Sequence, residues 1–224
     1  MELKQKDMLR GFDVVRYIQC QKSEAQKKPG YRIIRALETA KNIGLKGNSA
    51  LCIVCGNLTD GREIAGSGFF DTVDSIRFNT ERLIEMQESV KAEGIFDFGT
   101  IVKHDAVFVD GMFEYLEGSN KQLFLDRVSG ALKEGGILIM SFLTTLPKDF
   151  VKERMEYLKR LKTMPLVPLF RDHEEKRAAT LEFESGLIER MVAAGWIVQD
   201  RIDYKSERNF VEVQKAFVVL RKPG

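Results

Sequence analysis

Two cysteines three residues apart, two histidines and several carboxylates beside glycines are the groups in this 224-residue chain that could do chemistry. Cys52 and Cys55 spell C-x-x-C, a spacing used by redox and zinc sites. They fall in the run ALCIVC at 50–55, closed by Gly56, which reads as a strand. On a strand, residues three apart point to opposite faces. At strand rise their Cα atoms stand roughly 10 Å apart, beyond disulfide reach. No second cysteine pair or close histidine completes a zinc set, so functional thiols are not expected. His104, beside Asp105, is expected at the rim of a sheet. His173 lies in FRDHEE at 170–175. An imidazole titrates near neutral pH, so it could serve as a general base, although a surface histidine in a charged run is the plainer reading.

The elements that must position such groups follow from pattern. Hydrophobic residues are 44% and charged residues 30% of the chain, with a net charge of +2, so it reads as a globular protein with no global electrostatic call for nucleic acid. No segment approaches the roughly 20 apolar residues that span a bilayer. Three cysteines give no disulfide framework and point to a reducing compartment. The expected setting is the cytoplasm.

Tyr31 to Lys41 has Ile33, Ile34, Leu37 and Ala40 on one face and predicts a helix. Ala50–Cys55 predicts a strand buried on both faces. A turn-rich stretch follows, with Asp60-Gly61 as its turn dipeptide, then a strand at Thr72 to Phe78. Asn79 or Thr80 can cap a helix that runs to Gly94. A short strand is expected within 95–102 and a better one at 105–111. Lys121 to Lys133 predicts a helix, and 137–142 a strand. Lys148 to Leu161 is helical by period, and an irregular stretch extends to about Ala179. Ser185 to Ala194 predicts a further helix, with strands from Trp196 and over 210–220. Alternating strands and helices predict right-handed βαβ units and a mainly parallel sheet. Ligands of such sheets sit beyond the carboxyl ends of the strands, where the strand order reverses.

Three blocks together resemble the class I S-adenosylmethionine-dependent methyltransferases. DAVFVDGMFEYL at 105–116 is similar to that family's fourth-strand block, LDRVSGALKEGGILIM at 125–140 to its "vLkpGG.lli" block, and FESGLIERMVAAGW at 183–196 to its "ll..aGF" block. The likeness covers about residues 45 to 222. It implies a Rossmann-like three-layer sandwich, with a mainly parallel seven-stranded sheet and one antiparallel strand near the C-terminus. Residues 1–44 would form an N-terminal helical cap, and residues 45–224 the Rossmann domain with a lid insert at about 143–180.

The resemblance also implies where S-adenosyl-L-methionine would sit. The family's acid-x-Gly-x-Gly-x-Gly loop falls on residues 52–58, where only the central glycine, Gly56, survives. Cys52 stands for the acid, and Val54 and Leu58 stand for glycines. Cys55, Gly56 and Asn57 would face the cofactor, and Gly61 could compensate through a longer turn. A carboxylate at the end of the second strand accepts hydrogen bonds from the ribose hydroxyls, which a cation cannot do. Anchoring on Asn79-Thr80-Glu81 puts Arg77 there; sliding by three residues gives Asp74, the better match in chemistry. Asp110, Gly111 and Met112 would meet the methionine half, with Asp110 facing the ammonium or orienting the acceptor; a turn cap is an equal alternative. Tyr115 would line the acceptor pocket, or pack as a buried tyrosine, and His173 would be the candidate base. The implied activity is methyl transfer to a small-molecule acceptor, with no membrane and with a homodimer open. The rival is a catalytically inactive relative that binds a ligand or protein partner.

Overall fold

The computed structural model describes residues 12–18, 31–55, 59–78, 102–110, 113, 116, 118–145, 186–208 and 211–224. Strand β1 is Phe12–Ile18 and helix α1 is Tyr31–Asn42. Strand β2, Ser49–Cys55, precedes helix α2, Thr59–Gly66. Strands β3, Thr72–Phe78, and β4, His104–Asp110, lead to helix α3, Gly118–Gly130. Strand β5, Leu132–Thr145, helix α4, Leu187–Ala193, and strands β6, Ile197–Arg208, and β7, Val211–Arg221, complete the order. No helix among the described residues is long and apolar enough to cross a membrane.

The strands form one sheet in the order β1-β3-β2-β4-β5-β7-β6. Pairs β2–β3, β2–β4 and β4–β5 are parallel. Pairs β1–β3, β5–β7 and β6–β7 are antiparallel. Two strands, β1 and β7, therefore run against the other five. One of them lies near the N-terminus, where the sequence reading expected a helical cap and no strand. The strand expected within 95–102 lies outside the described residues, as do the helices expected over 79–93 and 148–161.

Strand alternation sorts the core into two layers. Leu51, Ile53, Val107, Val109, Leu138, Met140, Val218 and Leu220 face α3 and α4. Ala50, Cys52, Val54, Ala106, Phe108, Ile139, Phe217 and Val219 face α1 and α2. Unbroken apolar runs in β2, β4, β5 and β7 follow directly from burial on both sides. Helix α1 docks through Ile33, Ala36, Leu37 and Ala40, all buried; Ile34, expected on that face, is 39% exposed and Ala36 takes its place. Each large apolar side chain sunk this way is worth roughly 1.5–3 kcal/mol.

Two boundaries differ from the pattern reading. Thr59–Gly66 is a helix and not a turn: Asp60-Gly61 lies in its first turn, where the sheet beneath decides the backbone. Helix α3 ends at Gly130, three residues before Lys133, and residues 133–136 instead form a kink that shifts the β4–β5 register between His104 and Ala106. Gly135, with φ 71°, supplies the left-handed conformation that this kink needs.

The amino-terminal edge of the sheet is tied by charge. The Asp105 carboxylate accepts from the Ser49 backbone N–H at 2.9 Å and the Ser49 hydroxyl at 3.2 Å. It also accepts from Lys133 Nζ at 2.8 Å, so one side chain joins β2, β4 and β5. On the α1 face, Arg35 Nε and Nη2 donate to the two Asp200 oxygens at 2.7 and 2.9 Å, clamping α1 to β6.

Candidate functional site

The strand order reverses between β3 and β4, which lie on either side of β2. In a sheet of this kind, ligands bind beyond the carboxyl ends of the strands at such a reversal. Cys55 of β2 and Phe78 of β3 are register partners at that mouth, as are Val54 and Arg77. Val54 also partners Asp110, the last residue of β4. Thus Arg77, Val54 and Asp110 lie in one row across three strand ends.

Asp110 is held by the neighbouring strand. Ser141 Oγ, on the neighbouring strand β5, donates to Asp110 Oδ1, and Ser141 is buried. Ser141 follows Met140, the partner of Val109, so sheet register itself brings hydroxyl and carboxylate together. A carboxylate held this way still offers lone pairs to a cationic or hydroxylic ligand.

The structure places Asp74 farther back along β3. It partners Leu51 near the middle of β2, four residues before the end of β3, or roughly 13 Å at strand rise. Its carboxylate lies 3.8 Å from His104 Nε2, at the amino-terminal start of β4. Asp74 thus lies outside the row that Arg77, Val54 and Asp110 form. Arg77, exposed and one residue from the strand end, occupies the place where the resemblance implies a ribose carboxylate. His104 stands at the rim as expected, though it is buried.

The C-x-x-C pair lies within one strand, and Cys52 is buried. No cluster of metal-ligating side chains is present among the described residues. Gly56, Asn57, Gly111, Met112, Tyr115 and His173 lie outside the described residues. Among candidate site residues, the structure brings Cys55 and Asp110 to the same mouth and leaves Asp74 out of it.

One residue escaped sequence reasoning. Lys121 is fully buried near the amino-terminal end of α3, on the face that carries Phe124, Leu125 and Val128. Because α3 follows β4, this end lies on the mouth side of the sheet. Burying a cation is costly unless it is paired. The signal was available: a lysine three, four and seven residues before core positions shares their helix face. A groove of about 260 Å³, lined by Ile34, Leu37, Lys41 and Phe69 among others, lies at the opposite, amino-terminal end of the sheet and is not part of this constellation.

No protein-family model matches the chain, and no curated protein matches it in sequence. Among solved structures it is similar to the N-methyltransferase NodS from Bradyrhizobium japonicum WM9, at 12% identity and TM-score 0.49, over 86% of this chain and 95% of that one. NodS in complex with S-adenosyl-L-homocysteine is similar at 10% identity and TM-score 0.41, over 99% of each chain. A SAM-dependent methyltransferase from Methanosarcina mazei is similar at 10% identity and TM-score 0.44, over 87% of this chain and 99% of that one. The Rossmann-like assignment rests on the chain's own strand order and register.

Proposed function

We propose that this protein transfers the methyl group of S-adenosyl-L-methionine to a small-molecule acceptor. The observation that carries the reading is Asp110, positioned by Ser141 at the end of β4, where the strand order reverses. An anionic acceptor at that place suits the ammonium of the cofactor's methionine half. Gly56, directly after β2, has no Cβ to keep the backbone from a ligand, and Cys55, Asn57, Gly111 and Met112 complete the lining in this reading. The sheet mouth fits such a group on the Asp110 side, whereas Arg77 by itself does not suit a ribose diol.

When bound, the sulfonium supplies an electrophilic methyl group. The protein then has to align the acceptor and keep water away, which accounts for the lack of a conspicuous catalytic motif. His173 would take a proton from an acceptor that must lose one, and Tyr115 would line the acceptor pocket. Residues 1–44 and 143–180 would set acceptor specificity. Fold alone does not decide activity.

The alternative, an inactive relative that binds another ligand or a partner, is favoured by one observation: a cation, Arg77, at the end of β3. Thermal unfolding with S-adenosylmethionine and S-adenosylhomocysteine separates the two. A ligand at a hundred times its Kd stabilises the fold by about 2.7 kcal/mol. For a chain of this size that raises Tm by about 5–10 °C. An unchanged Tm at millimolar concentrations of both compounds would reject the methyltransferase reading.

A further inference from the structure

We infer that β6 is an interface strand, and that a second copy of this chain pairs with it antiparallel about a two-fold axis at Tyr204. The inference is independent of the methyltransferase reading.

Among the described residues β6 is the last strand of the sheet, and at 12 residues it is long for an edge. Its pairing with β7 shifts between Val198 and Asp200 and then runs without a break from Asp200 to Arg208. A bulge bounds this regular stretch at one end and the connection to β7 bounds it at the other. Tyr204 is its midpoint.

Alternation gives the stretch two different faces. Asp200 is held by Arg35 of α1, and Ile202 and Tyr204 pack against the core layer that α1 covers. Arg201 and Asp203, between them, are exposed, with Arg201 Nη2 donating to Asp203 Oδ1 at 3.0 Å. The period of two continues their face at positions 205 and 207. Along that face the sequence reads Arg201, Asp203, Lys205, Glu207, alternating in sign.

Charges on an edge strand ordinarily keep a foreign strand away. This pattern does the reverse for its own copy, because it is complementary to itself read backwards. A two-fold axis at Tyr204 sets position 201 opposite 207 and position 203 opposite 205, so every positive residue faces a negative one. An axis at residue 203 sets Arg201 opposite Lys205 and Asp203 opposite its own copy. An axis at residue 205 sets Asp203 opposite Glu207 and Lys205 opposite its own copy. An axis at 202 or 206 leaves two of the four charges without an opposite. Unlike charges directly across a ladder are stabilising and like charges destabilising. Charge therefore selects the same axis as the limits of the unbroken ladder. A pairing of this isologous kind closes after two copies.

The test is sedimentation velocity of the full chain over a range of concentrations. The wild type should associate reversibly to a dimer. R201E and E207R each set like charges opposite one another twice, and each should raise the dimer Kd about tenfold or more. An equimolar mixture of R201E and E207R restores every couple and should associate as the wild type does. A wild type that stays monomeric at hundreds of micromolar would overturn the inference. So would a dimer whose Kd R201E leaves unchanged, or a mixture that associates no more tightly than its components. Should either variant fail to fold, D203K and K205D supply the same mixing test at the inner couple.

Discussion

Ser75 Oγ lies 2.5 Å from the point where a Cβ on Gly61 would stand, and Cys52 Cβ lies 3.7 Å from it. Ser75 is fully buried and Cys52 almost so. The first turn of α2 thus rests directly on β2 and β3, and only glycine at position 61 permits that approach. This is the helix-to-strand role that one glycine plays in dinucleotide-binding turns. Gly61→Ala should destabilise the protein by about 1–3 kcal/mol through overpacking, even though alanine gains up to about 1 kcal/mol in helix propensity. Ser75 Oγ has no hydrogen-bond partner among the described residues, so Ser75→Ala alone should be neutral or stabilising. Urea unfolding of both single variants and the double variant should show Ser75→Ala rescuing Gly61→Ala; equal destabilisation in the two backgrounds would refute the contact.

Acid should loosen the fold through two carboxylates. Burial pushes the Asp105 carboxyl up, but the Lys133 ammonium and the Ser49 donors outweigh burial and hold it below its ordinary value of 3.8. Hydrogen bonds from Arg35, against a smaller opposing effect of burial, hold Asp200 below the same value. A carboxyl lowered on folding contributes stability that is present above its unfolded pKa and is lost as pH falls through the folded one. Unfolding free energy should therefore decline below about pH 4, and the decline should be shallower in Asp105→Asn. Parallel pH profiles for wild type and variant would remove Asp105 from the account.

The α1 clamp is open to direct measurement. Arg35 is 40% exposed and Asp200 14%, so solvent screens part of their attraction. Two parallel hydrogen bonds in one plane still exceed an ordinary surface pair. Asp200→Ala should cost about 1 kcal/mol, and Arg35→Lys should recover little of the lost geometry in the converse variant. Hydrogen exchange should report the loss in α1 ahead of β2 and β4; uniform acceleration across the sheet would contradict a local clamp.

Asp110 and Ser141 should act as a unit in ligand binding. Asp110→Asn should weaken S-adenosylhomocysteine binding about tenfold, close to 1.4 kcal/mol. Ser141→Ala should weaken it less, through a carboxylate that is no longer oriented. Both should keep the wild-type Tm within a few degrees. If Ser141→Ala binds as tightly as wild type while Asp110→Asn does not, Ser141 is structural only.

The helix α1 and the strands β2, β3, β4 and β7 were legible because burial writes itself into local pattern. A strand covered on both faces must be apolar throughout, as ALCIVC is, and a docked helix must repeat its apolar residues, as Ile33, Leu37 and Ala40 do. The helix Thr59–Gly66 was not legible. Its two glycines and its sparse apolar residues, Ile64 and Ala65, look like a turn, and only the sheet beneath Gly61 makes them a helix. Strand β1 was hidden in a basic, polar segment, because the residues that complement FDVVRYI lie some sixty positions away.

The sequence by itself determined that a parallel sheet exists and that a glycine and an acid, Gly56 and Asp110, follow two of its strands. Tertiary structure alone decided which charge stands at the mouth. Side chains alternate along a strand but do not show where the strand stops relative to its neighbours, so Asp74 and Arg77 were interchangeable on paper. Pairing with β2 sets Arg77 beside Val54 and Asp74 beside Leu51. Register is a relation between strands and is fixed only when their backbones bond to one another.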